Sequence, residues 1–111
     1  MKNWKVFTKR QAEEDTNEIW SYIAQDNPLA AEAFLDAIEE ASSILSTTPA
    51  IGSLRYFHHP ELQGLRFYPL KKFEKYLVFY RTMEDAEVIE IVRIVHGARD
   101  LPRLFGRKEN N

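Results

Sequence analysis

The dipeptide Asn27-Pro28 constrains this chain more than any other feature, because it divides two stretches that each keep helical spacing. Before it, Ala12, Thr16, Ile19 and Ile23, with Trp20 and Ala24 beside them, recur at three- and four-residue intervals and predict a helix over residues 9–25. After it, Ala31, Phe34, Leu35, Ile38, Ala41, Ile44 and Leu45 continue the period to about Ser46. Asn27 suits an N-cap, and Pro28 suits the first helical position, where the N–H it lacks would have no partner anyway. Two helices joined by so short a turn must fold back as an antiparallel hairpin. The alanines of the second helix would let another layer approach closely.

The flanking segments have a different period. Trp4-Lys5-Val6-Phe7-Thr8 reads as a short strand, and Thr8 with Gln11 reads as a capping box opening the first helix. Glu13, Glu14, Asp15 and Glu18 crowd that helix's early turns, where carboxylates suit the positive end of the dipole. Thr48-Pro49-Ala50-Ile51-Gly52-Ser53 ends the second helix, and an irregular stretch runs to Gly64. Leu65–Leu70, Tyr76–Arg81 and Glu87–Val95 then read as three strands of an antiparallel meander, with turns at Lys71-Lys72-Phe73-Glu74 and Met83-Glu84-Asp85. The expectation is an α+β fold, β-α-α-β-β-β, with a helical hairpin covering one face of an antiparallel sheet. Residues 1–105 make the single domain and residues 106–111 a frayed tail. Where the first strand joins the sheet is left open.

Composition narrows the class. With 111 residues there is room for one core, and seven Phe, five Tyr and two Trp suffice to fill it. A chain this short buries only roughly 65% of its unfolded surface, so stability should be modest without a partner. The absence of cysteine excludes disulfides and thiolate metal sites and suits a reducing cytoplasm. No apolar run approaches the ~20 residues of a membrane span, and the start of the chain has no signal-peptide character. The net charge of −2 is unevenly spread: residues 1–50 carry four Lys/Arg against nine Asp/Glu, and residues 51–111 carry eleven against eight. The helical layer is therefore expected to be acidic, and the sheet with its turns basic.

Several short runs occur in collinear order. They are Asn27-Pro28 with Ala30-Ala31 and Phe34, Thr48-Pro49-Ala50-Ile51-Gly52, Gly64-Leu65-Arg66, Tyr76-Leu77-Val78-Phe79-Tyr80-Arg81, and Ile91-Val92-Arg93-Ile94-Val95-His96-Gly97-Ala98-Arg99-Asp100. Together they span residues 4 to 101 and resemble the ParE/RelE toxin superfamily in its ParE-like, plasmid-stabilisation branch. The resemblance implies the toxin of a type II toxin–antitoxin system, neutralised by a ParD-like antitoxin whose C-terminal segment wraps it. ParE members act on DNA gyrase, whereas RelE members cut mRNA on the ribosome. The slightly acidic net charge departs from the basic character common in the superfamily and favours gyrase over an rRNA surface.

His96 is the sharpest catalytic candidate. Under a nuclease reading His96 would be the acid, with Arg81, Arg66, Arg93 and Arg99 as cations around a phosphate. That reading lacks a tyrosine beyond Tyr80, and Glu61 and Glu90 stand as bases by location only. The local reading, in which His96 ends a strand and holds the turn at Gly97, is favoured. Strand alternation puts Val92, Ile94 and His96 on one face and Ile91, Arg93 and Val95 on the other. Arg93 and His96 would thus share a pocket only through a bulge. For a binding toxin, Arg93, His96, Arg99 and Arg103 are the expected target contacts. Lys71, Lys72 and Lys75 read as a solvated turn, His58-His59 as loop histidines without a metal, and Trp4, Trp20 and Phe34 as core aromatics. No cofactor is expected. Exposed apolar residues on the sheet or the hairpin would receive the antitoxin.

Overall fold

A computed structural model describes residues 3–54 and 64–104, with side chains as far as 101. Its elements are β1 (Lys5–Thr8), α1 (Arg10–Asp26), α2 (Pro28–Thr47), β2 (Ser53–Leu54), β3 (Arg66–Leu70), β4 (Phe73–Met83), β5 (Val88–His96) and α3 (Gly97–Leu104). The helical hairpin and the meander form as the periodicity predicts. Asn27 alone joins the helices, and its Oδ1 accepts the Ala30 N–H at 3.1 Å, with Pro28 at the start of α2.

The capping box at Thr8 does not form. Thr8 stays in β1, opposite Ile91, and the Lys9 N–H still donates to Ile91 at 3.0 Å. The helix therefore starts one residue later, with Lys9 as an N-cap that makes no side-chain bond.

The strands form one sheet of order β1-β5-β4-β3-β2. β5, β4, β3 and β2 are antiparallel in sequence, but β1 runs parallel to β5 at the edge, so the sheet is mixed. A strand followed by two helices and returning strands can lie beside the last one without crossing any connection. β2 was not legible: its two residues pair with Phe67 and Arg66 inside the stretch expected to be irregular. The first turn is tighter than predicted, and the second falls after Met83 and not on it. Lys71-Lys72 alone connects β3 to β4, with Lys72 at φ 68°, and Glu87 closes the next turn at φ 56°.

Between hairpin and sheet lies the main core. Phe34 is fully buried, with its ring edge-on to Phe73 and Tyr76 at 5.6 Å each. Ala12, Ala37 and Ala41 bring the helices down onto Val78, Tyr80, Ile89, Ile91 and Ile94. Trp4 packs against this core, whereas Trp20 is 38% exposed and lies outside it. The opposite face carries a second cluster: Leu65, Phe79 and Val95 are buried, with Phe67, Leu77, Val92 and Leu101 of α3 against them. The sheet is apolar on both faces at this end because α3 forms a partial third layer. That helix was not predicted. Of the described residues, no helix is long and apolar enough to cross a membrane.

Candidate functional site

The site is organised by an irregularity in β5. Phe79 lies opposite Arg93 and Tyr80 opposite Ile91, so Val92 is an extra residue without a partner of its own. This is the bulge that strict alternation would need. Ile89 and Ile91 face the helices before it, and Ile94 faces them again after it, while Val92 and Val95 turn to the opposite face. Arg93 reaches α1: its Nε donates to Asp15 at 2.7 Å and its Nη2 at 2.9 Å. The Ile94 N–H donates to the same carboxylate at 3.0 Å. Asp15 is 6% exposed, so it is a buried anchor for the bulge and not one of the dipole-facing carboxylates expected of that helix. Its hydrogen bond outweighs the opposing effect of burial and holds the Arg93 guanidinium above its ordinary value.

The bulge delivers His96 to the start of α3. The His96 Nδ1 accepts the Arg99 N–H at 3.2 Å, and the His96 N–H donates to Asp100 Oδ2 at 3.1 Å. This is a reciprocal cap in which an imidazole takes the place of the usual hydroxyl. Arg99 closes it with two bonds to Asp100, at 2.8 and 3.1 Å. The run His-Gly-x-Arg-Asp thus builds a strand-to-helix junction, which supports the local reading of His96. With Nδ1 accepting, a neutral imidazole carries its proton on Nε2. Tyr76 stands opposite His96 in the β4–β5 ladder, with ring centroids 5.4 Å apart and nearly perpendicular. No tyrosine follows Tyr80 in the sequence, but one accompanies His96 from the neighbouring strand. Tyr76 precedes His96 by twenty positions, and only the hairpin register brings the two together.

Arg66 and Arg81 are engaged elsewhere. Arg66 Nη1 donates to the carbonyls of Gly52 at 2.7 Å and Ala50 at 3.3 Å. Tyr80, fully buried, donates its hydroxyl to Pro49 O and accepts the Gly52 N–H, both at 2.8 Å. Together they clamp the loop after α2 onto the sheet. Arg81 lies 3.5 Å from Glu90 across the β4–β5 ladder. Arg66, Arg81 and His96 consequently do not converge. Arg93, His96 and Arg99 do gather at one end of β5. Arg103 lies in α3, but its side chain, like His58, His59, Glu61 and the tail, falls outside the described residues. Among the described residues no cluster of His, Asp and Glu is suited to a metal. Asp15 could have been found from its place on the Ala12–Thr16–Ile19 stripe, where a carboxylate has no business unless it is paired.

Burial pushes the phenols of Tyr76 and Tyr80 above their ordinary value of 10.0; Arg99 opposes the shift at Tyr76, and the Gly52 N–H and Arg66 oppose it at Tyr80. Groups that hold their proton longer when folded contribute stability below pH 10.0 and lose it as pH rises toward the folded value. The urea midpoint should thus fall as pH rises above about 10, and fall less in Tyr76→Phe. An equal slope in both proteins would refute this assignment.

The structure therefore defines a small α+β protein whose hairpin-covered mixed sheet ends in an arginine- and histidine-bearing strand-to-helix junction. Residues 6–101 match the family model for the ParE toxin of the type II toxin–antitoxin system parDE, and the chain belongs to that family. A chain of the chromosomal ParDE system from P. aeruginosa superposes with a TM-score of 0.67 at 21% identity, over 84% of this chain and 95% of that one. A chain of the RelBE2 toxin–antitoxin complex from Mycobacterium tuberculosis gives 0.58 at 21% identity, over 86% and 93%. At such identities the likeness is one of fold. No curated protein matches in sequence.

Proposed function

We propose that this chain is a toxin that inhibits DNA gyrase by binding it, and that a cognate ParD-like antitoxin neutralises it in the cytoplasm. The observation that carries the reading is the employment of the cations. Arg66 serves loop carbonyls, Arg81 faces Glu90 and Arg93 is bound to Asp15, so a nuclease's phosphate-binding set is not assembled. Arg99 is more exposed than Arg93, at 57% against 22% for the side chains, and with His96 it forms the target-facing end. Arg93 sets the position of that end from beneath.

A second reading, a ribosome-dependent mRNA interferase, is favoured by one observation, the Tyr76–His96 pair with Arg99 adjoining it. Expression without antitoxin separates the two. Double-strand breaks and an SOS response are expected, and translation arrest with mRNA cut in the ribosomal A site would overturn the gyrase assignment. Under the interferase reading a folded His96→Ala/Arg81→Ala variant loses toxicity while still binding antitoxin, and retained toxicity in that variant would count against catalysis. No growth defect at all would mark the chain as a binding partner only.

A further inference from the structure

The sheet has one edge whose open hydrogen-bonding groups can be counted. In the parallel ladder Lys5 and Lys9 turn their N–H groups inward, to Glu87 O at 3.1 Å and Ile91 O at 3.0 Å. Alternation then turns the N–H and C=O of Val6 and Thr8 outward, and nothing among the described residues pairs with them. The edge is closed at both ends. The Trp4 N–H donates to Ser46 O at 2.9 Å, and the Ser46 hydroxyl donates to Trp4 O at 2.6 Å, so α2 plugs the edge at Trp4. At the other end the chain turns into α1 at Arg10. What remains is a window of one strand's width from Lys5 to Lys9.

Its side chains specify an occupant. Val6 points into the main core, and Lys5, Phe7 and Lys9 share the face turned away from the helices. Phe7 is 56% exposed. Lys5, Lys9 and Arg10 have no ion-pair partner among the described residues. A second copy of the chain fits poorly. Pairing β1 with itself about Phe7 would set Lys5 against the other copy's Lys9 twice, and like charges directly opposite destabilise a sheet.

We propose that β1 is a strand-addition site for an extended acidic segment of the partner, with an apolar residue opposite Phe7 and Asp or Glu two positions to either side. The spacing is the same whether that strand runs parallel or antiparallel, since residues opposite Lys5 and Lys9 flank the central one by two in both cases. Four main-chain hydrogen bonds, to Val6 and Thr8, supply attachment. Phe7 and the two lysines supply selection. The inference rests on the antitoxin reading and gives that partner a local sequence pattern.

The test uses the full chain and two blocked seven-residue peptides, each with Val at the centre and Thr around it, and with either Glu or Lys two residues to each side. The Glu peptide should shift the amide resonances of Val6 and Thr8 and slow their hydrogen exchange. It should bind about tenfold more tightly than the Lys peptide at low salt, and the gap should shrink as salt rises. Lys5→Glu/Lys9→Glu should reverse the preference, and Phe7→Ser should weaken both peptides. Equal binding of the two peptides, unmoved Val6 and Thr8 amides, or self-association through Phe7 would each overturn the site. A purified antitoxin complex in which Val6 and Thr8 still exchange freely would also overturn it, while leaving the antitoxin reading intact. Peptide binding at β1 without any antitoxin recognition would do the reverse.

Discussion

Asp15→Ala is expected to destabilise the protein by about 3 kcal/mol, the lower end of what removing one partner of a buried ion pair costs. The carboxylate accepts three hydrogen bonds, two from Arg93 and one from the Ile94 N–H. Its loss strands a guanidinium whose side chain is 22% exposed, enough for water to reach part of it, which is why the lower figure applies. The Ile94 amide, buried beneath α1, has no such relief. With a urea dependence of about 1–3 kcal/mol per molar, the midpoint should fall by at least about 1 M. The pair also ties the bulge to the hairpin, so the variant should lose target binding at temperatures where it remains folded. Replacing both partners, as in Asp15→Leu/Arg93→Met, should cost much less than Asp15→Ala alone, because no charge is then left buried. A loss below about 1 kcal/mol in the single variant would show that Arg93 finds other solvation and that the bulge does not depend on Asp15.

The hairpin and the meander were legible because their signals are local. Asn27-Pro28 carries its own cap chemistry, and Phe34 with Ala31, Ile38 and Ala41 keeps the three- and four-residue spacing of one helix face. The capping box at Thr8 misled because a tertiary bond, Lys9 N–H to Ile91, held the chain extended for one residue more. The parity of β5 could not be resolved from residue types, since α3 makes the back of the sheet apolar as well. Once the bulge is known, Arg93 and His96 fall into place at one end. Their partners stayed hidden for a different reason: Asp15 and Tyr76 lie 78 and 20 positions from the residues they meet. The run from His96 to Asp100 was noticed as a motif, yet its meaning, a helix cap built from an imidazole, required the α3 that the sequence reading lacked.

Gly52→Ala is expected to be at least as damaging, for reasons of space. A Cβ at this position would stand 2.6 Å from both Cε1 and Oη of Tyr80 and 2.8 Å from the Phe67 carbonyl oxygen. Tyr80 has no room to retreat, being fully buried and held to Pro49 O. The loop must therefore lift, breaking the Gly52–Tyr80 bond and the Arg66 contact to Gly52 O. Overpacking of about 1–3 kcal/mol adds to about 1–3 kcal/mol for buried groups left unpaired, so a loss of about 3 kcal/mol or more should appear in urea unfolding. Tyr80→Phe alone removes the hydroxyl and should cost about 1–3 kcal/mol. Because part of the clash is with that same oxygen, the double variant should cost less than the sum of the two singles. Strict additivity would place the strain on the Phe67 carbonyl instead. A Gly52→Ala protein within about 0.5 kcal/mol of the parent would mean that the loop is not clamped by Tyr80 at all.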